Sequence, residues 1–244
     1  MRFLVMHKLD KNSEAGVPPS PELLAAMGAF LSEGATGGVF QSGEELHSSS
    51  KRARVKFSEG QCSITNGPFT GSNELIAGFV MVRVKSKEEA IEWAERLAQV
   101  PGEGEVEVGL VKEPWDLGLG PKPEDAAMRF LLLQKADRQS EGEIPPAPNR
   151  KAEMEKLIDE MRRNGIFLLA EELEPSSKGA RLRLSGGRRT VIDGPFIESK
   201  ELIGGYAIIE AKSKDEAIEW ALGFAKVLSD HVPDDIEIDV RPIA

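Results

Sequence analysis

Short apolar runs alternate along the chain with longer stretches of helical periodicity, and the same order of elements occurs twice. The runs at 3–6 and 130–133 are too brief for a helix and suit buried strands. Residues 20–33 read as a helix: Ser20 can cap it, Pro21 fits the first turn, and Leu23, Leu24, Met27, Phe30 and Leu31 line one face. The matching later helix carries Met154, Leu157, Ile158 and Met161 and stops at Asn164-Gly165. Extended segments are predicted at 39–46, 52–57 and 61–65, with partners at 167–173, 181–184 and 189–192. "LIAGFVMVRV" and "LIGGYAIIEA" then give one longer strand each. Capping boxes at Ser86…Glu89 and Ser213…Glu216 open a second helix in each copy, with Trp93 and Trp220 in equivalent places. The closing segments "EVEVGLV" and "IEIDVRP" alternate as half-buried strands do.

A shift of 127 residues brings the halves into register, placing "RFLVMHK" (2–8) on "RFLLLQK" (129–135) and Arg54 on Arg181. Over 66–94 against 193–221, 17 of 29 positions are identical, which identifies a duplication. The period far exceeds that of solenoid repeats, so each copy reads as a complete domain. The expected division is a first domain at 1–113, a linker rich in Pro and Gly at 114–126, and a second domain at 127–244. The element order corresponds to an α+β fold, a ferredoxin-like unit with an added hairpin, present twice. Two helices cover one face of such a sheet. Packing two sheets together would cover the other, so an intramolecular pseudo-dimer with an inter-sheet cleft is expected, with further homodimerisation open.

Composition narrows the function classes. At 40% apolar and 30% charged residues the chain is that of a globular protein. A net charge of −10 argues against nucleic acid or anionic membrane as partner, because phosphate contacts need a basic face. No apolar run approaches the roughly 20 residues that span a bilayer, and the N-terminus lacks a signal-peptide core, so a cytoplasmic protein is expected. The single cysteine, Cys62, excludes an internal disulfide, and no two of His7, His47 and His231 have metal-ligand spacing. No metal and no cofactor is expected.

The copies differ most where the second reads "DGPFIESKEL" and the first reads "NGPFTGSNEL". Asp193 is the foremost candidate for a general base at a strand end, against a purely structural role, because Asp-Gly and Asn-Gly both suit tight turns. Glu198 and Lys200 lie just beyond the turn and are replaced by Gly71 and Asn73 in the first copy. Together with Asp193 they would make one retained site, with Lys200 and Glu198 as substrate-binding candidates; the other reading is a solvated loop of surface charges. Arg181 can clamp a carboxylate if it faces the cleft; paired with Glu171-Glu172, it is instead a cross-strand ion pair. His7, whose counterpart is Gln134, is a weaker candidate acid/base partner. Cys62 reads as inert, His47 and His231 as surface residues, and "SGGRR" as a hairpin turn.

The run "DGPFIESKELIGGY", followed by "KSKDEAIEWA" and the closing "IEIDVRP", resembles the YCII-related family, specifically its DGPF subgroup, and the resemblance covers the chain twice. It implies a ferredoxin-like fold of the dimeric α/β-barrel type. The wider family includes a few enzymes acting on small chlorinated or unsaturated organic acids, and in that branch a His–Asp pair is implicated in acid/base work. The first helices here, "PELLAAMGAFL" and "RKAEMEKLIDEM", lack a histidine where that branch has one, so its chemistry does not carry over directly. Two functions are compatible with these residues. One is a binder of small organic acids with cofactor-independent acid/base catalysis near Asp193; the other is a non-catalytic interaction scaffold.

Overall fold

The structure, a computed structural model, describes residues 1–70, 74–196 and 202–244. In chain order it consists of β1 (Arg2–Lys8), α1 (Lys11–Glu14), α2 (Pro21–Thr36), β2 (Phe40–Glu45), β3 (Ala53–Ser58), β4 (Gln61–Asn66), β5 (Ile76–Val84), α3 (Lys87–Gln99), β6 (Gly104–Leu110), β7 (Met128–Lys135), α4 (Arg150–Arg163), β8 (Phe167–Glu172), β9 (Ala180–Ser185), β10 (Arg188–Asp193), β11 (Ile203–Glu210), α5 (Lys214–Ser229) and β12 (Ile236–Pro242).

The helix starts are fixed by the residues the sequence offers for them. Ser20, Ser86 and Ser213 accept from the backbone N–H three residues on, satisfying a donor that the first turn leaves open. Glu89 and Glu216 reach back to the N–H groups of Lys85 and Lys212. α4 ends at Asn164, and Gly165 takes the left-handed conformation, φ 69°, that turns the chain out of the helix.

The strands form two six-stranded antiparallel sheets, ordered β10-β9-β12-β1-β11-β2 and β4-β3-β6-β7-β5-β8. In each, four strands follow the ferredoxin-like arrangement and a hairpin extends it beyond the closing strand. One compact unit comprises Met1–Ser48 with Leu173–Ala244, and the other comprises Ser49–Glu172. The units therefore do not coincide with the sequence repeats. β1, α2 and β2 of the first repeat complete a sheet whose remaining strands come from the second, and β7, α4 and β8 do the converse. Residues 114–126, expected to link two domains, instead connect the neighbouring strands β6 and β7 within one sheet.

Alternation along the strands divides each sheet into two faces. In the first unit Phe3, Val5, Leu182, Ala207, Ile209, Ile238 and Val240 form a core with Ala217, Ala221, Phe224 and Ala225 of α5. Phe30 of α2 tilts against Trp220 at 5.0 Å. In the second unit Val55, Val80, Val82, Val106, Val108, Phe130 and Leu132 pack against Ala90, Ala94 and Leu97 of α3 and Leu157, Ile158 and Met161 of α4. The opposite faces carry the buried ion networks considered below, and His7 lies on the helix-covered face.

Because the unit Ser49–Glu172 is continuous in sequence and holds a complete sheet, it is expected to fold when produced alone. A cooperative thermal transition followed by circular dichroism checks this; a non-cooperative melt would mean that these boundaries are misplaced.

Candidate functional site

The Gly-Pro-Phe motif does the same structural work in both copies. Gly194 sits so close to the carbonyl of Ser176 that any Cβ would collide with it, and Gly67 is held likewise against Ser49. The following Gly–Pro peptide bonds, Gly67–Pro68 and Gly194–Pro195, are both cis. The serine hydroxyl then accepts from the phenylalanine N–H, at 3.1 Å for Phe196 and 2.9 Å for Phe69. Each phenylalanine ring lies beneath an arginine, Arg181 at 4.5 Å from the Phe196 centroid and Arg54 at 4.2 Å from that of Phe69.

Asp193, ahead of this motif, is exposed, and its Oδ1 accepts from Lys214 Nζ at 2.7 Å. Its counterpart Asn66 accepts from the matching Lys87 at 3.0 Å. A carboxylate and an amide oxygen serve a lysine donor equally in geometry, which explains how the two residues interchange.

Arg181 lies on the sheet face away from the helices and is buried. Its Nε and Nη2 donate to the two oxygens of Asp239, at 2.6 and 3.0 Å, and Lys8 Nζ reaches Asp239 at 2.8 Å. Arg181 thus has a cross-strand partner on β12, Asp239, with Glu237 of the same strand 3.4 Å away. In the second unit Glu107 occupies the place of Asp239, because β3 pairs with β6 in the register that β9 uses with β12. Arg54, Arg52 and Lys135 converge on Glu107, and Glu74 takes Arg54 at 2.7 Å and also Lys135. The repeat counterpart of Glu74 is Glu201, which lies outside the described residues, as do Glu198 and Lys200.

The two networks also exchange an arginine across a strand pair. Arg52 stands one residue beyond the Ala53–Val108 pair that ends one ladder, and Gly179 one residue beyond the Ala180–Val240 pair that ends the other. A Cβ on Gly179 would come within 2.7 Å of Arg241 Cδ, so glycine is what admits the buried arginine from the neighbouring strand. Arg241 Nη2 donates to the Glu174 carbonyl at 2.5 Å. Burial by itself would raise the Glu107 carboxyl, but Lys135, Arg52 and Arg54 outweigh it and hold the group at about 2. Burial likewise opposes the charge on Asp239, and Lys8 and Arg181 nevertheless keep its pKa below the ordinary carboxylate value.

On the helix-covered face, at an irregularity in the β1–β11 pairing, His7 is 9% exposed. Its Nε2 lies 2.7 Å from Glu45 Oε1 and its Nδ1 lies 3.2 Å from the Lys8 carbonyl. Both ring nitrogens thus face oxygen atoms of the protein. The Phe224 ring stands 5.8 Å away, and the Glu45 side chain is 42% exposed, so the pair opens to solvent on the carboxylate side. Gly204 and Gly205 make room: a Cβ on either would come within 2.7 Å of the imidazole. The second unit has Gln134 and Ala77 in place of His7 and Gly204, and there the Gln134 amide faces Met154 Sδ at 3.9 Å. The His–carboxylate pair is therefore present once, although Glu172 repeats Glu45.

Sequence reasoning singled out His7 but missed Glu45 as its partner, since pairing across β1, β11 and β2 is a tertiary matter. It also missed Asp239 and Glu107; the signal for them was a carboxylate at every second position of the closing strands. Cys62 is exposed on β4, His231 is exposed at the end of α5, and His47 is half-buried. Among the described residues no cluster of His, Cys, Asp and Glu is arranged to hold a metal ion. No helix among them is long and apolar enough to cross a membrane.

These features define an α+β protein of two ferredoxin-like units built from a duplicated sequence. The family model for the YCII-related domain matches residues 1–114 and again 128–233, and the chain belongs to that family. It is 42% identical over 72 residues to "Uncharacterized protein R00369" of Rhizobium meliloti (strain 1021), an alignment covering 30% of this chain and 55% of that protein. The chain thus spans about half the length of this relative. No solved structure matches it.

Two outcomes are expected. Asp193→Asn should change stability by no more than about 0.5 kcal/mol, as an exposed ion pair is worth little, whereas Gly194→Ala should cost upwards of about 2 kcal/mol through its collision with Ser176. Urea unfolding of both variants measures the difference. The second concerns pH. The folded Glu107 carboxyl lies at about 2 against an ordinary 4.5, so the unfolded state binds the proton more readily, and stability present at neutral pH is lost as pH falls through this window. Roughly 3 kcal/mol at pH 7 is at stake for Glu107, and Asp239 adds in the same direction. Unfolding free energies between pH 6 and 2.5 should fall steeply for the wild type and less steeply for Glu107→Gln; equal slopes would contradict the assignment.

Proposed function

We propose that the protein binds a small organic acid at a single site on the first unit and moves a proton on it, with His7 and Glu45 as the acid/base pair. The observation that carries this reading is the buried His7 imidazole held by a half-exposed carboxylate in a pocket of glycine backbone, in one unit only. Glu45, 42% exposed and backed by His7, is the member of the pair that can meet a substrate proton, and such carboxylate–imidazole proton exchange needs no cofactor. The substrate class rests on the family's enzymes, whose substrates are small chlorinated or unsaturated acids.

Asp193 takes a secondary place in this reading, since Lys214 engages it on an exposed strand. Arg181 is a framework cation here, because a ligand carboxylate would have to displace Asp239 from it. Beyond the Gly-Pro-Phe motif, Lys200 remains a proposed contact for the acid group and Glu198 a proposed substrate-binding residue.

A library of small carboxylic acids, halogenated and unsaturated members included, tests the proposal by thermal shift. A ligand at about a hundred times its Kd adds roughly 2.7 kcal/mol, a rise of several degrees. Wild type and Asp193→Asn should respond alike, and His7→Gln should not. The double variant H7Q/G204A, which rebuilds the local packing of the other unit, separates loss of the imidazole from loss of packing. A ligand that stabilises H7Q/G204A as well as wild type would refute the role of His7, and its loss in Asp193→Asn alone would move the site to Asp193.

A further inference from the structure

β10 is the outer strand of its sheet, and all six of its residues are exposed, with Val191 at 43% and Ile192 at 40%. An edge with apolar side chains on both faces invites pairing with another strand, and edges are ordinarily blunted against it by bulges, prolines or charged side chains. β10 has no bulge and no proline, and its charges, Arg188, Arg189 and Asp193, are of both signs.

The hairpin fixes which backbone groups point outward. Gly186 and Gly187, both with positive φ, join β9 to β10 with Ser185 opposite Arg188, and the Gly194 N–H donates inward to the Gly179 carbonyl. Alternate residues therefore bond to β9: Arg188, Thr190, Ile192 and Gly194 face inward. The N–H and C=O groups of Arg189, Val191 and Asp193 face out.

We propose that a second copy of this chain docks on β10, antiparallel and across a two-fold axis at Val191. This is one of the few registers in which outward-facing groups meet outward-facing groups, and it places Val191 opposite Val191. Arg189 of each copy then stands opposite Asp193 of the other, giving two ion pairs, while Thr190 meets Ile192 on the other face. Sliding by one permitted step centres the axis on Thr190 and sets Arg189 against Val191, forming no ion pair, so charge selects the register. Among the described residues Lys214 takes Oδ1 of Asp193, and Oδ2 is the oxygen the arginine would meet.

The equivalent edge supports the assignment by contrast. β4 presents Cys62, Ile64 and Asn66 in the outward positions, so both charges of the pair are absent together where the second copy has Arg189 and Asp193. The inference does not rest on the proposed site at His7.

Sedimentation velocity over a concentration series tests it, with circular dichroism melts confirming that each variant is folded. The wild type should dimerise reversibly. Arg189→Asp, which sets carboxylate against carboxylate twice, should weaken the dimer by about tenfold or more. R189D/D193R exchanges the charges within one chain and should restore the dimer. Val191→Pro removes an outward N–H without touching the β9 ladder and should yield monomer. A wild type monomeric at the highest concentration reached would overturn the proposal. So would a dimer indifferent to Arg189→Asp and Val191→Pro, or a folded R189D/D193R that stays as weak as Arg189→Asp.

Discussion

In each sheet a buried carboxylate on the closing strand gathers cations that arrive from separate elements. Asp239 receives Arg181 from β9 and Lys8 from β1; Glu107 receives Arg54 from β3, Arg52 from the residues before it, and Lys135 from β7. A buried charge without a partner is strongly unfavourable, so these contacts fix the neighbours more firmly than an apolar contact would. Lys8 and Lys135 lie on the central strands that the other repeat contributes, and each ion network thus spans the joint between material from the two copies. Arg181 and Arg54 also roof Phe196 and Phe69, which ties the Gly-Pro-Phe segments to the same networks.

The two copies have diverged through coupled changes. Histidine at 7 goes with glycine at 204, where the other copy has glutamine and alanine. Arginine before β3 goes with glycine on β6, and glycine before β9 goes with arginine on β12. At Gly179 and Gly204 the space that glycine leaves is filled by a side chain from the neighbouring strand, as a close-packed interior requires. Asp193 and Asn66 differ without such compensation because both are exposed and both oxygens satisfy a lysine. The side chain the sequence marked out most strongly is thus among the least constrained by packing, while the less conspicuous His7 is held on all sides.

Much of the local structure was legible in the chain. The serine caps, the Asn164-Gly165 stop and the Gly-Gly hairpin turn follow from side chains that satisfy or release backbone groups within a few residues, so neighbouring sequence carries the information. The candidate site was legible only in part. His7 stood out by its residue type, but Glu45 lies two strands away in its sheet, beyond β11, and nothing local marks it. The β12 partner of Arg181 was hidden for the same reason: alternation shows that an arginine points to one face but does not reveal which carboxylate the sheet order brings beside it.

By itself the sequence determined the duplication, the kind and order of the elements, and the α+β ferredoxin-like class, because hydrophobic period and capping are local. Only the tertiary structure decided which copy's first strand, helix and second strand complete which sheet. "RFLVMHK" and "RFLLLQK" offer nearly the same apolar face and the same terminal lysine, so either could sit between the two strands that need a partner. Patterns this alike do not choose between partners. That choice, and with it the placing of His7 beside Glu45 and of Lys8 beside Asp239, is made by long-range strand pairing and burial.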